Sequence, residues 1–242
     1  MHPILFKFGS ITIFSYGFMI ALAFLAGIYF SYFLAVREGI KGEKIFDLAL
    51  VILVSSIVGA RIFYVIEFWP DFISNPLEVF FIWQGGLVFF GGLLFAALAA
   101  VAFANYYKIK ALKLMDIITP GTALGYGIGR IGCFLRGCCY GIETKLPWGI
   151  VFPGLSEAHH PTQLYAFISG IIMFTMLLLL YRKKKYDGQV FFSGLMFYSV
   201  YRFSVEFLRM NPKYLFFSMA QWISILIFFL ALQFMRRERG HK

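Results

Sequence analysis

The sequence predicts an all-α polytopic membrane protein with about seven transmembrane helices, its N-terminus outside and its C-terminus cytoplasmic. Three observations carry that prediction. Of the 242 residues, 60% are hydrophobic and 20% aromatic while only 14% are charged, a composition that would be insoluble as a water-exposed globule. Apolar stretches of the ~20 residues needed to cross a ~30 Å hydrocarbon layer recur along the chain far more convincingly than any strand alternation. The basic residues gather in clusters after every second stretch, as cytoplasmic loops require.

The spans fall at about 11–35, 46–66, 79–104, 116–134, 164–181, 189–207 and 217–235, within a single integral domain over residues 1–242. The first is expected to be retained rather than cleaved, because its apolar stretch is much longer than a signal core and its leader carries only Lys7. Arg37, Lys41 and Lys44 follow the first span, and Lys108, Lys110 and Lys113 the third. Arg182, Lys183, Lys184 and Lys185 follow the fifth, and Arg236, Arg237, Arg239 and Lys242 the seventh. The other face holds Glu67, Asp71 and Glu78, then Glu143, Lys145 and Glu157, then Lys213. An odd number of spans places all four basic clusters inside. The net charge of +10 is therefore a topology signal and not a nucleic-acid footprint. Trp69, Trp83, Tyr106, Tyr107 and Tyr214 lie near span boundaries, where aromatic residues anchor helices in the interface.

Two spans carry unusual glycine patterns. Gly121, Gly125 and Gly129 recur every four residues in the fourth, forming a face on which a neighbouring helix can approach closely. That face runs into Arg130, then Gly132, Gly137 and Gly141. In the third span, Gly85, Gly86, Gly91 and Gly92 straddle Phe89 and Phe90, and are expected to loosen the helix and turn backbone N–H groups toward a cavity.

Arg61, Arg130 and Arg202 with Glu206 stand inside apolar segments. Each such charge costs roughly 2.5–3.5 kcal/mol on insertion scales, so it needs an internal partner or a function. The positive surplus points to a cavity that receives an anion, and the abundant anion in a membrane is a phospholipid head group. Arg202, Glu206 and Arg209 are spaced i, i+4 and i+7 on one helix face, so Glu206 can pair with either arginine. A self-contained ion pair and an Arg202 held ready for a phosphate both fit that spacing; for Arg209, snorkelling to the outer interface also suffices.

Cys133, Cys138 and Cys139 cluster at the outer end of the fourth span, with His159 and His160 further on. Small-residue packing, a disulfide from Cys133 to Cys138 or Cys139, a metal site and a nucleophile are all open readings. The C-x4-C-C spacing matches none of the usual paired-ligand patterns, so no metal is expected, and nothing points to a nucleotide, haem, flavin or other cofactor.

Several motifs stand in a recognisable order. They are Tyr16-Gly17; Gly59-Ala60-Arg61; Trp83-Gln84-Gly85-Gly86 with Gly91-Gly92-Leu93; Gly129-Arg130-Ile131-Gly132; His160-Pro161-Thr162-Gln163-Leu164-Tyr165; Arg202-Phe203 with Glu206 and Arg209; and Ser218-Met219-Ala220-Gln221. Together they resemble the prolipoprotein diacylglyceryl transferase family over essentially the whole chain. The resemblance implies transfer of the diacylglyceryl group of phosphatidylglycerol to the lipobox cysteine thiol of a preprolipoprotein, with release of glycerol phosphate. It also implies a multi-pass protein of the bacterial cytoplasmic (inner) membrane, its active site facing outward. The implied partners are phosphatidylglycerol, the signal peptide and lipobox of preprolipoproteins, and membrane lipids, with no nucleic acid. Arg130 and Arg202 would stabilise the departing glycerol phosphate, and Glu206 would orient Arg202. Tyr16, Arg61, Gln84, Gly85, Gly86, Gly91, Gly92, Cys133, Gly141, His160 and Arg209 would bind or surround the substrates.

The chain departs from the family pattern at several positions. Phe90 stands where the family carries a histidine proposed as general base. Where the family signature continues with asparagine, phenylalanine, then a second asparagine and a glutamate, this chain has Cys133, the matching Phe134, Arg136 and Cys138; Ala166 replaces a glutamate and Lys213 an aspartate. These changes keep two alternatives in view: a paralogous membrane transferase with an anionic phospholipid donor and another acceptor, and a non-catalytic lipid-binding or transport protein.

Overall fold

The computed structural model describes residues 1–9 and 11–240. Lys242 and the side chain of Arg239, from the last basic cluster, lie outside the described set. The chain forms two compact units, one of Met1–Ser31 with Met115–Lys242 and one of Tyr32–Leu114. Strands occur among the described residues as three two-stranded antiparallel hairpins, and everything else of length is helix.

The first unit opens with β1 (Ile4–Phe8) and β2 (Ile11–Phe14), which pair and lead into α1 (Ser15–Arg37). The first span therefore starts as strand at residues 11–14 and becomes helix at Ser15, whose N–H bonds the Pro3 carbonyl at 3.0 Å and whose Oγ donates to His2 O. Then come α5 (Ala111–Arg136), β3 (Ile150–Val151) with β4 (Ala158–His159), and α6 (Thr162–Arg182). The unit closes with α7 (Gln189–Glu206), β5 (Lys213–Tyr214) with β6 (Phe217–Ser218), and α8 (Met219–Gly240). The glycine face of α5 packs on α1: a Cβ on Gly121 would lie 2.5 Å from Gly27 O, one on Gly125 2.9 Å from Ala23 O, and one on Gly129 3.4 Å from Ile20 Cδ1. Gly127, off that face, meets Gly170 of α6 equally closely. Backbone contact of this kind, with no Cβ between, is how helices associate where water supplies no hydrophobic force.

The N-terminus of α7 is capped from a distance. Asp116, fully buried, accepts the N–H groups of Gly188 and Phe191, both at 2.9 Å, and lies 3.8 Å from Lys184 Nζ. Such orphan donors cannot stay unpaired away from water. α5 begins at Ala111, five residues before the predicted span, and Leu114, Asp116 and Ile117 are all buried within it.

The second unit holds α2 (Glu43–Glu67), a single turn α3 (Trp69–Phe72), two 3₁₀ turns at Pro76–Phe80 and Ile82–Gln84, and α4 (Phe89–Tyr106). Here the predicted third span, 79–104, needs correcting, since its first ten residues are not α-helix. Gly85 and Gly86 adopt φ of +90° and +74°, left-handed backbone that no α-helix passes through. Gly91 and Gly92 act differently again: a Cβ on Gly91 would lie 2.4 Å from Gly59 O, and one on Gly92 3.0 Å from Ser56 O, so they seat α4 on α2 rather than loosening it.

Among the described residues five helices, α1, α2, α4, α6 and α8, are long and apolar enough to cross a membrane. Their outward faces carry residues such as Leu25, Leu50, Leu98, Leu179 and Phe229, which lipid accommodates and water does not. Trp69, Trp83, Tyr106 and Tyr214 are exposed at or beyond helix ends. Gly91→Val should lower the thermal midpoint of the purified protein, at a cost of about 1–3 kcal/mol from overpacking. Gly17→Ala, whose Cβ meets nothing within 4 Å, should leave the midpoint unchanged or raise it; equal melting of the two variants would refute this account of helix contact.

Candidate active site

The end of α5 is shaped by a glycine stop. Gly137, at φ +79°, donates to Cys133 O and Phe134 O, and Cys138 N also reaches Cys133 O at 3.1 Å, so the helix terminates and the chain turns back. Cys139 then takes φ +69°, a conformation unfavourable for a side-chain-bearing residue. Two side chains of α6 hold it there: Thr162 Oγ1 donates to Cys139 O at 2.8 Å and Gln163 Nε2 to Cys138 O at 2.6 Å. Gly141 is wedged behind them, since a Cβ would sit 2.3 Å from Leu208 O and 2.9 Å from His160 Cβ. Its N–H reaches His160 O at 2.8 Å and the next N–H, of Ile142, reaches Leu208 O at 2.8 Å, which ties this turn to the end of α7.

Under this turn lies a cavity lined by Tyr126 and Arg130 of α5, Cys139, Thr162, Gln163 and Ala166 of α6, Tyr201, Arg202 and Val205 of α7, and Arg209. Three guanidinium groups share it, and among the described residues no carboxylate lines it. Arg202 is held by Glu206, which is buried and saturated: Oε2 accepts from Arg202 Nη1, while Oε1 accepts from Asn211 Nδ2 and Ser218 Oγ, both at 2.7 Å. Of the two pairings the spacing allows, the structure makes the one with Arg202. Arg130 lies 4.9 Å from the Tyr126 ring centre, and that ring meets Tyr198 edge-on at 5.6 Å. Among the described residues neither Arg130 nor Arg209 has a carboxylate partner. The result is an anion-attracting pocket with one arginine fixed by a carboxylate and two kept free of one.

Of the residues singled out by sequence, Arg130, Arg202 and Arg209 thus meet at one cavity with Glu206 behind them. Tyr16 lies in the first turn of α1, where Arg136 is 5.8 Å from its ring centre, and it is not among the residues lining the cavity. His160 and Gly141 support the turn; His160 Nδ1 pairs with Tyr165 Oη at 3.1 Å, which also receives Trp148 Nε1 at 2.9 Å. In the second unit Arg61 is committed elsewhere. It is buried, and four of its five N–H donors go to the carbonyls of Glu78, Val79, Gly85 and Gly86, so its role is to fold the segment before α4. The glycine pair at 85 and 86 therefore offers carbonyls to an arginine, where N–H groups facing a cavity were expected. Gln84 and Phe90 are exposed. Sequence reasoning missed Tyr126 and Tyr201 and named Thr162 and Gln163 only within a motif, not as site residues; the available signals were the one-turn spacing of Tyr126 from Arg130, the adjacency of Tyr201 to Arg202, and the two polar residues opening α6. Gln163 is buried with Oε1 unpartnered among the described residues.

The three cysteines are free thiols, graded from buried Cys133 to exposed Cys139. Their sulfurs all lie within 4.8 Å of one another, with Cys138 and Cys139 Sγ 3.5 Å apart. A hydrogen bond from Cys133, aided by Cys138, Arg209 and Arg130, holds the Cys139 thiol down at about 5, whereas burial pushes Cys138 up. Neither His159, whose Nδ1 pairs with Glu157 O at 3.0 Å, nor His160 joins the sulfur group.

Long apolar helices make this a multi-pass membrane protein, and one of its cavities gathers three arginines. Residues 3–237 match the family described as prolipoprotein diacylglyceryl transferase, and the chain belongs to that family, as its motifs indicate. It is 36% identical to the phosphatidylglycerol–prolipoprotein diacylglyceryl transferase of Geobacter sulfurreducens, over 96% of this chain and 93% of that protein. Proteins of the same name from Clostridium tetani and Bordetella avium are 36% and 34% identical; the matches cover 88% and 93% of this chain, and 87% and 90% of the relatives.

Alkylation of Cys139 in the reduced, metal-stripped protein should stay fast down to about pH 5 and fall below it, as the thiolate is protonated. Peptide mass mapping after brief iodoacetamide exposure checks this. A half-rate near pH ~8.5, the value for an ordinary thiol, would refute the shift.

Proposed function

We propose that this chain transfers the diacylglyceryl group of phosphatidylglycerol to the cysteine thiol of prolipoproteins. The cavity bearing Arg130, Arg202 and Arg209 supports this reading most strongly, because the reaction expels a phosphate-bearing leaving group. The acceptor sulfur attacks the glyceryl carbon, the carbon–oxygen bond breaks, and glycerol phosphate departs with the electron pair. Fixed cationic donors at the developing charge need no reorganisation, and a single such donor is worth about 10²–10³ in rate. Arg202, aimed by Glu206, and Arg130, resting on Tyr126, are the two donors. Arg209 adds positive potential, and the spare Oε1 of Gln163 accepts a hydrogen bond from a head-group hydroxyl.

Phe90 cannot accept a proton. General-base help is worth about 10²–10⁴ in rate, yet an ordinary thiol is already a few per cent thiolate at neutral pH, so alkylation proceeds without that base. The acceptor is the lipobox cysteine beside the signal peptide, and the site faces the outer side of the bacterial inner membrane. The whole chain acts as one integral domain with seven spans, α5 and α7 joining the five apolar helices, N-terminus out and C-terminus in. The basic clusters support that orientation: they follow α1, α4 and α6, and end α8.

Transfer of label from phosphatidylglycerol to a lipobox-cysteine peptide, by membranes containing the protein, tests the reading. Arg130→Ala and Arg202→Ala should each lower the rate at least ~10²-fold without loss of inserted protein. Full activity in both would overturn the anion site. Phe90→His should match or exceed the parent rate, and a strong loss would show that the ring itself serves the site.

A further inference from the structure

We propose that Cys133, Cys138 and Cys139 form a three-sulfur site for a thiophilic metal cation of the zinc class, whose open fourth position takes the acceptor thiol. This inference rests on the transferase reading above.

The geometry is that of a preformed ligand set. Metal–sulfur bonds of ~2.3 Å in a tetrahedron put neighbouring sulfurs roughly 3.8 Å apart, and here they lie 3.5 Å apart for one pair and within 4.8 Å for all. The Gly137 stop folds two consecutive cysteines back over the third, which is why a C-x4-C-C spacing converges although it resembles no standard ligand motif. Cys139 is kept in its left-handed backbone conformation by Thr162 and Gln163, so the arrangement is maintained against local preference. Arg130, Arg136 and Arg209 act electrostatically on the thiols and offset the negative charge that three thiolates and one divalent ion leave. Packing would account for buried Cys133 alone, and a disulfide would use two sulfurs and leave the third.

The site also addresses the missing base. Cys139 lines the arginine cavity, so a metal bound there lies beside the place where the lipid phosphate is held. A thiol that coordinates the metal loses its proton outright to solvent. The bound acceptor sulfur then forms its bond to the glyceryl carbon as the carbon–oxygen bond breaks, glycerol phosphate leaves with the electron pair, and the thioether product, no longer an anionic ligand, dissociates. The three cysteines stay thiolates throughout, and nothing is oxidised or reduced.

The test uses the full-length protein in detergent, reduced and stripped with a chelator, and titrated with Cd(II) alone. One equivalent should produce an ultraviolet sulfur-to-cadmium charge-transfer band and protect all three thiols from maleimide. A lipobox-cysteine peptide should intensify the band, and its serine analogue should not. Zn(II) should restore transfer by the stripped enzyme at least ~10²-fold, the scale of general-base help. Cys133→Ser, Cys138→Ser and Cys139→Ser should each weaken cadmium binding about 10–100-fold. Thiol protection needs no variant, so it stands even where a variant fails to fold. Absence of the band, its survival in the triple serine variant, or a native disulfide in place of two thiols would overturn the site. Transfer that is equally fast stripped and zinc-loaded would overturn its catalytic role. A normal band with no transfer under any condition would instead refute the transferase reading and leave the metal site standing.

Discussion

The active-site end of the first unit depends on a carboxylate that has almost no water. Glu206 is buried at the end of α7, where an unpaired negative charge would be prohibitive, and three donors satisfy it: Arg202 one turn back, Asn211 beyond the helix, and Ser218 at the entry to α8. The same interaction therefore does two jobs. It closes the chain between α7 and α8, where Ser218 and Gln221 also cap one another reciprocally, and it fixes the direction of Arg202 toward the cavity. A guanidinium anchored on one edge keeps its remaining donors in a defined position for a phosphate.

The second unit solves a similar problem by the opposite means. Arg61 is buried, yet its partners are backbone carbonyls of the non-helical segment, two of them at Gly85 and Gly86, where the chain departs from helical geometry. In hydrocarbon, non-helical backbone is tolerated only where protein satisfies it. Arginine and irregular loop thus stabilise each other, and the residue is spent on architecture. Two arginines of like appearance in sequence have different employment because one faces a carboxylate and a cavity and the other faces carbonyls.

The departures from the family pattern are chemically connected rather than scattered. Relative to the pattern that the motifs resemble, a proton acceptor gives way to Phe90 and an amide and a carboxylate to the thiols of Cys133 and Cys138, while the cavity keeps the guanidinium groups of Arg130, Arg202 and Arg209. Under the proposed transfer reaction, such a set would alter how an acceptor is deprotonated and leave the treatment of the leaving group alone.

Sequence by itself determined the apolar helices, the clustering of arginines on one helix face and the family, since span length, the i, i+4, i+7 spacing of Arg202, Glu206 and Arg209, and ordered motifs are all properties readable along the chain. The glycine face of α5 was legible for the same reason. What only tertiary structure decided were contacts made across many residues: the four carbonyls that claim Arg61 lie 17 to 25 residues further on, and Asp116 caps a helix 72 residues away. The start of α4 at Phe89, the convergence of three sulfurs over a glycine stop, and the unpaired Gln163 oxygen belong to that group. Periodicity reports which face of a helix is apolar, but in a membrane both faces are apolar. The fate of each polar group is then settled by whichever distant donor or acceptor the fold brings within hydrogen-bond reach.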